Sequence, residues 1–257
     1  MFTPSVLRSL RVRFENEISA AELHAFRGAV AARAGLEHTL FHNHTAAGEL
    51  RYRYPLIQYQ RLGKNPALLC LNEGVEAAQH FLTQPDWELD LNGHPLQLQV
   101  GQIQMREHRL QISEHPYTYH LHQWLALNQE NYRRYMQQPG LTARLQLLER
   151  ILTGNLLSMA TGLGWQVEAP LVVELLDLQP PRPVKAYGHG TLAFDATFRA
   201  NVLLPDGMGL GKHASLGHGR LEHPRRRPKR DGAATASAGA GAVVFTADQE
   251  ADSPTFF

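Results

Sequence analysis

The sequence predicts an α+β protein made of two tandem ferredoxin-like domains followed by a disordered C-terminal tail. Strand and helix patterns alternate twice along the chain, and turns rich in glycine and proline separate them. In each half, the order of elements fits a ferredoxin-like unit, in which one sheet carries its helices on one face. We therefore assign residues 1–115 to an N-terminal domain, residues 116–222 to a C-terminal domain and residues 223–257 to the tail.

The first domain opens with a strand and a helix. Residues 7–15 alternate apolar side chains with polar, mostly cationic ones, which is the period-two pattern of a half-buried strand. Ser19 and Glu22 have the spacing of a capping box, and apolar residues follow at helical intervals until Gly35 offers a C-cap. One face of the strand is therefore core, and the other consists of Ser9, Arg11 and Arg13.

Two more strands, a short helix and a hairpin complete the first domain. A turn at residues 63–66 separates two apolar strand patterns, and Asn92-Gly93 is a dipeptide typical of a tight hairpin. The expected elements are strands over residues 54–60 and 67–71, a helix over residues 74–82, and hairpin strands over residues 87–91 and 96–100.

The second domain repeats this order less clearly. Its best-defined element is a helix over residues 141–160, where leucines recur on one helical face until a glycine pair ends the pattern. Strands are expected over residues 117–125, 171–178 and 192–204. The tail is basic and broken by proline at residues 223–230, and only small residues occupy 233–242. We expect this tail to be disordered.

Composition places the chain among ordinary globular proteins. It is 43% hydrophobic and 19% charged with a formal net charge of +1, so nucleic acid could be bound only through local basic patches. The single cysteine, Cys70, excludes a disulfide framework and a cysteine-based zinc site. Residues 1–10 lack the apolar stretch of a signal peptide, and no run is long enough to cross a bilayer. We expect a cytoplasmic protein that has no membrane partner.

A His-x-His pair is the candidate for catalysis. His42 and His44 lie in a loop between a predicted helix and a predicted strand, and two imidazoles with an ordinary pKa of about 6.5 can share general base and general acid work. RNA cleavage needs such a pairing, because one group takes the proton of a ribose 2′-hydroxyl and the other protonates the leaving 5′-oxygen. The cations that could offset charge on the phosphorane are Arg51, Arg53 and Lys212.

Two other interpretations of the histidine pair stay open. It could belong to an ordinary polar loop, or it could hold zinc with a third ligand brought close by folding. The histidines that could supply that third ligand are His24, His38 and His80. We predict a catalytic pair that uses no metal and no cofactor, and we assign structural roles to the remaining histidines, among them His120 and His122.

A glycine-rich stretch near the end of the second domain is the candidate for RNA binding. Five glycines fall within thirteen residues and alternate with basic and hydroxyl side chains. Glycine lets the backbone approach a phosphate and turn its N–H groups towards it, and lysine or arginine adds charge. A surface loop without a ligand is the alternative. The residues that we assign to RNA contact in this stretch are Gly209, Gly211, Lys212, Ser215, Gly217, Gly219 and Arg220.

Four stretches of the sequence carry a resemblance to a known family. They are Phe41-His-Asn-His44 with Arg53-Tyr-Pro-Leu-Ile-Gln-Tyr59, Trp124-Leu-Ala-Leu-Asn-Gln-Glu-Asn-Tyr132, Leu152-Thr-Gly-Asn-Leu-Leu-Ser158 and Gly209-Leu-Gly-Lys-His-Ala-Ser-Leu-Gly-His-Gly219. Over roughly residues 5 to 222, the chain resembles the CRISPR-associated endoribonucleases of the Cas six group. The resemblance implies two ferredoxin-like (RRM-like) domains and a glycine-rich loop that binds the RNA repeat. The chain departs from the family at His218, where the family usually has an aromatic residue.

The same resemblance implies a sequence-specific, metal-independent endoribonuclease. It would cut CRISPR precursor RNA within the repeat and leave a 2′,3′-cyclic phosphate or a 3′-phosphate, with His42 and His44 as the acid and base. Arg51, Tyr52 and Arg53 would contact the RNA from the same loop. The expected partner is CRISPR repeat RNA, and a CRISPR interference complex and a homodimer are left open. The alternatives are a catalytically silent subunit that holds repeat RNA, and a metal-dependent nuclease that uses the His-x-His pair.

Overall fold

The computed structural model describes residues 5–35, 38–41, 54–186, 189–224 and 243–246. The helices in these ranges are α1 (Leu23–Ala34), α2 (Glu73–Leu82), α3 (Gln129–Gln137) and α4 (Leu141–Gly162). The strands are β1 (Ser5–Phe14), β2 (Ile57–Leu62), β3 (Asn65–Leu71), β4 (Glu88–Leu91), β5 (His94–Gln97), β6 (Val100–Leu110), β7 (Ile112–Trp124), β8 (Val173–Leu178), β9 (Arg182–Ala186), β10 (His189–Val202), β11 (Arg220–Glu222) and β12 (Val243–Thr246).

The first sheet has the strand order β12-β6-β1-β3-β2. The order β6-β1-β3-β2 is the one that a βαββαβ unit gives when its first and third strands lie in the middle. Leu10, Val12 and Phe14 of β1 pack with α1 and α2 in one core, as their alternation predicts. The first domain is therefore ferredoxin-like, as expected.

The strand β6 was missed in the sequence. The expected hairpin forms at Asn92-Gly93, where both residues have the positive φ of a tight turn (57° and 83°), but it is an insertion and does not close the sheet. The fourth strand of the sheet is β6, which pairs with β1 over its whole length. Most of its side chains are exposed or half-buried, so its sequence lacks the apolar alternation that would have predicted it.

The second sheet has the order β11-β7-β10-β8, and β9 pairs with β10 beside it. This is the same ferredoxin-like order, with α3 and α4 in the first crossover. The place of the second crossover helix is taken by residues 204–219, which we call the glycine segment; it contains only a 3-10 turn (Ala214–Leu216). Helix α3 was missed because Tyr135 is its only buried residue, and its start depends on Asn128, whose side chain accepts from Asn131 N at 2.7 Å.

One of the two hydrophobic clusters among the described residues spans both domains. Leu7 and Leu71 of the first sheet lie in the same buried cluster as Tyr119 and Leu121 of the second sheet and Leu152 of α4. The chain passes from β6 to β7 through Gln111 alone. The change of sheet therefore comes at residue 111, and the expected boundary near residue 115 falls inside β7.

The expected disordered tail contains one strand among its described residues. β12 pairs antiparallel with the outer edge of β6, with Val243 opposite Met105 and Thr246 opposite Gln102. Residues 225–242 and 247–257 lie outside the described residues. In the part of the chain that the structure describes, no helix has both the length and the apolar character that a membrane span requires.

Candidate functional site

A cleft of about 690 Å³ lies between the two domains. The start of α1 and the end of β2 form its first wall, and the glycine segment with β9 and β10 forms its second wall. Each wall belongs to a different domain, and the shared core fixes their separation. A concave surface at a domain interface is a common place for a ligand site.

The charged side chains of the cleft favour an anionic ligand. Arg61, Lys185, Arg182 and Arg220 line it. Arg182 is ion-paired with Asp195, and Arg220 lies 3.7 Å from a carboxylate oxygen of Glu222. Asp195 is the only carboxylate among the described residues that line the cleft. Several cations that focus their field in a cleft attract a polyanion and raise its local concentration.

Two buried glutamines hold the glycine segment against β2. Gln58 Oε1 accepts a hydrogen bond from Gly209 N (2.9 Å), and Gln60 Nε2 donates to Gly207 O (2.5 Å). Both glutamines are almost fully enclosed. Because buried polar groups need partners, these two bonds tie the position of the segment to the first sheet. Gln58 and Gln60 alternate with Ile57 and Tyr59 in β2, and this pattern is the signal by which the pair could have been found in the sequence.

The expected phosphate cradle of backbone N–H groups needs correction. Gly217 N donates to Ala214 O (3.3 Å) and Gly219 N donates to Gln123 O (3.2 Å), so these groups, like Gly209 N, are used inside the protein. A Cβ atom at residue 219 would lie 1.8 Å from Leu210 O. The glycines at 209 and 219 thus permit close packing of the backbone, and they are buried instead of facing a ligand.

The other residues assigned to RNA contact differ in exposure. Lys212 is exposed, and Gly211, Gly217 and Arg220 are partly exposed. Ser215 is only 5% exposed, which removes its hydroxyl from the surface. Gly211, Lys212, Gly217 and Arg220 are therefore accessible to a ligand, and Gly217 and Arg220 also line the cleft.

Two strained residues, Gln123 and His213, also line the cleft. Their φ angles are +50° and +57°, in the left-handed region that side chains other than glycine and asparagine rarely adopt. In the described chain, the only other non-glycine residues with positive φ are Asn72 and Asn92. Strained backbone of this kind persists where the surrounding structure enforces it, and it clusters at functional sites.

His213 is kept neutral by its surroundings. Burial, together with the neighbouring His218, Lys212 and Arg27, lowers its pKa to about 4. The centres of the His213 and His218 imidazole rings are 6.2 Å apart, in an edge-on arrangement. Burial also lowers the pKa of His218. At neutral pH both imidazoles can therefore donate or accept a hydrogen bond without carrying charge.

The proposed catalytic loop lies outside the described residues, and the structure therefore does not test it. The residues concerned are His42, His44, Arg51, Tyr52 and Arg53. The described chain stops at Phe41 and resumes at Tyr54, and both ends adjoin β2. Tyr59 Oη of β2 donates to Phe41 O (3.5 Å), and Gln58 Nε2 donates to Tyr54 Oη (3.0 Å).

The cleft contains residues that the sequence did not identify. Arg61, Gln123, Arg182, Lys185 and His213 come from separate segments, and no local spacing connects them. His122, which was assigned a structural role, also lines the cleft and is 3.1 Å from Glu222 Oε2.

Comparisons with known proteins cover both domains. Residues 5–109 match the family model of the Cas6b N-terminal domain, and residues 111–224 match that of the Cas6b C-terminal domain. The solved structure named Cas6b is 23% identical with a TM-score of 0.74, and it covers 86% of this chain and 100% of that chain. The structure named CRISPR RNA processing endoribonuclease Cas6b is 21% identical with a TM-score of 0.65 and the same coverage.

A relative from Methanocaldococcus jannaschii, the uncharacterized protein MJ0978, is 32% identical over 135 residues. The match covers 52% of this chain and 90% of that protein. The two family matches together span nearly all the described residues, and they meet at the junction of β6 and β7.

Proposed function

The chain belongs to the Cas6b family, and from this membership we propose that it is an endoribonuclease that cuts CRISPR precursor RNA within the repeat. The observation that carries the proposal is the cationic cleft between its two ferredoxin-like domains. A similar structure bears the name CRISPR RNA processing endoribonuclease, which supports the same activity here.

The proposed reaction uses an internal nucleophile. One histidine of the pair His42 and His44 takes the proton of the ribose 2′-hydroxyl, and the 2′-oxygen attacks the adjacent phosphorus. The bond from phosphorus to the 5′-oxygen breaks, and the other histidine gives that oxygen a proton. The products are a 2′,3′-cyclic phosphate and a 5′-hydroxyl. This route needs no metal, because the nucleophile and both proton carriers are organic groups.

The cleft would hold the RNA backbone during this step. Arg61, Lys185 and Arg220 offer positive charge to phosphates, and charge-assisted hydrogen bonds to phosphate are stronger than neutral ones. The loop that carries the histidine pair leaves and rejoins the described chain beside β2, and β2 also holds the glycine segment through Gln58 and Gln60. This shared support favours a reaction site at the cleft.

Cleavage of repeat RNA in EDTA tests the proposal. The proposal requires undiminished cutting in EDTA, and a 2′-deoxy substitution just upstream of the scissile phosphate should abolish cutting and leave binding nearly intact. Cutting that stops in EDTA would indicate a metal-dependent nuclease. Tight binding without cutting of the natural RNA would indicate a silent RNA-binding subunit.

A further inference from the structure

The face of the first sheet that packs against the second domain through Leu7 also carries arginines that the proposed reaction does not use. Leu10, Val12 and Phe14 of β1 point into the core with α1 and α2, so Arg11 and Arg13 lie on the opposite face. The β1–β6 register places Arg106 opposite Ser9 on this same face. We call the three side chains Arg11, Arg13 and Arg106 the arginine face.

The charges on the arginine face are poorly compensated. Arg13 and Arg106 are exposed, and neither forms an ion pair with any residue that the structure describes. Arg13 donates a hydrogen bond to the neutral amide oxygen of Asn65. Two further glutamines of β6, Gln102 and Gln104, lie opposite Arg13 and Arg11 and add amide donors.

Arg11 lies at the centre of a group of like charges. Its guanidinium donates to Asp206 O (2.6 Å), and its pKa is lowered by burial and by the nearby charges of Arg106 and Arg220, against the opposing effect of the Asp206 carboxylate. His108 beside it has a pKa lowered by burial and by Arg106 and Arg11. The fold therefore holds mutually repelling cations together, and a bound anion would relieve that repulsion.

Arg220 connects this face with the cleft. It lines the cleft, and its charge also acts on Arg11. The cations of the cleft and of the arginine face thus form one positively charged path that passes the glycine segment at Asp206 and Gly207. A path of this kind, with amide donors beside it, fits a nucleic-acid backbone.

We propose that the arginine face binds phosphates of single-stranded precursor RNA outside the cleft, so that the RNA continues from the cleft across β1 and β6. This inference rests on the proposed function, because it takes the same RNA as its ligand. Arg13 and Arg106 would contact the backbone without reading bases, which makes their contribution independent of sequence.

The test measures binding of repeat RNA that carries flanking nucleotides and a 2′-deoxy ribose at the scissile position, so that it is not cut. The variant is the double substitution Arg13→Gln with Arg106→Gln. The control is Arg109→Gln, which removes an exposed arginine from the opposite face of β6. Thermal unfolding of each variant checks that the fold is kept.

The double variant should bind the long RNA roughly tenfold more weakly. The negative slope of log affinity against log salt concentration should become shallower by about 1.4, because each of the two lost single-strand phosphate contacts contributes about 0.7 to its magnitude. The Arg109→Gln control should keep the wild-type slope. Trimming the RNA to the nucleotides around the scissile phosphate should remove the difference between the double variant and the wild type.

Two outcomes would overturn the inference, and they are distinguishable. An unchanged salt slope in a folded double variant, with normal binding of the long RNA, would show that RNA does not bind the arginine face. The proposed function would not be affected by that result. Failure of the wild-type protein to bind repeat RNA at all would overturn the proposed function together with this inference.

Discussion

Gln58 Oε1 accepts a hydrogen bond from Gly209 N at 2.9 Å, and these two residues are 151 positions apart in the sequence. The bond lies in the interior and joins the first sheet to the glycine segment of the second domain. The wall of the cleft is thus held by a polar contact that water cannot replace.

Replacing Gln58 by leucine should destabilise the protein. The substitution keeps the side chain's bulk but leaves Gly209 N without an acceptor, and a buried unsatisfied donor costs about 1–3 kcal/mol. Unfolding in urea measures the change in free energy. The control is Gln146→Leu on the exposed side of α4, which should change the free energy by less than about 0.5 kcal/mol. Equal effects of the two substitutions would show that the bond does not hold the segment.

The substitutions Gly219→Ala and Gly164→Ala separate two reasons why a position requires glycine, namely a positive φ and a lack of space for a Cβ atom. Both residues have a positive φ, +64° and +71°, which costs a side chain about 1–2 kcal/mol. A Cβ at residue 164 would meet no atom within 4 Å, whereas one at residue 219 would lie 1.8 Å from Leu210 O. Gly219→Ala should therefore lower the melting temperature clearly more than Gly164→Ala. Similar losses would mean that the backbone near Leu210 moves aside easily.

Acid should destabilise the protein partly through His213. The imidazole has a pKa of about 4 in the folded protein, against an ordinary value of about 6.5 in the unfolded chain. Between these pH values the unfolded chain binds the proton and the folded protein does not, so stability from this group is lost as pH falls from about 6.5 to about 4.

Melting temperatures at pH 7 and pH 4.5 measure this effect in a His213→Asn variant, since asparagine tolerates the left-handed backbone and does not titrate in this range. The variant should lose less stability on acidification than the wild type. The exposed residue His115 provides the control, and His115→Asn should follow the wild type. An identical loss of stability on acidification in all three proteins would contradict the assignment of this effect to His213.

His42→Ala and His44→Ala should each slow single-turnover cleavage by roughly 100- to 10,000-fold, with little change in RNA binding. If the two histidines act on one reaction path, the double variant should be scarcely slower than the slower single variant. His115→Ala should cleave normally. Near-normal rates in both single variants and in the double variant would place the chemistry elsewhere, and His213 would then be the first residue to examine.

The parts of the fold that follow from local patterns were predictable. The helix expected over residues 141–160 is α4 (Leu141–Gly162), and the hairpin at Asn92-Gly93 formed as its turn residues require. These elements carry their own apolar face or turn chemistry. β6 and α3 have neither an apolar face nor turn residues that would identify them, because most of their side chains face solvent. Their positions depend on contacts with residues that are distant in the sequence.

The cleft was less predictable than the fold. A charged residue such as Arg61 or Lys185 has the same appearance in a sequence whether it faces open solvent or a ligand site. Only the arrangement of the two sheets brings these residues together with Arg220 and His213. The glycines show the same limit, since a glycine that permits packing and a glycine that faces a phosphate give the same local pattern, and Gly209, Gly217 and Gly219 use their N–H groups inside the protein.

The junction at Gln111 has a consequence for how the protein meets its ligand. A hinge needs several residues that can absorb changes in φ and ψ, and a single residue between two paired strands offers almost no such slack. The common core and the Gln58 and Gln60 bonds oppose an opening motion as well. The width of the cleft is therefore fixed by the fold. In the proposed complex, the RNA would therefore have to adapt its conformation to the cleft.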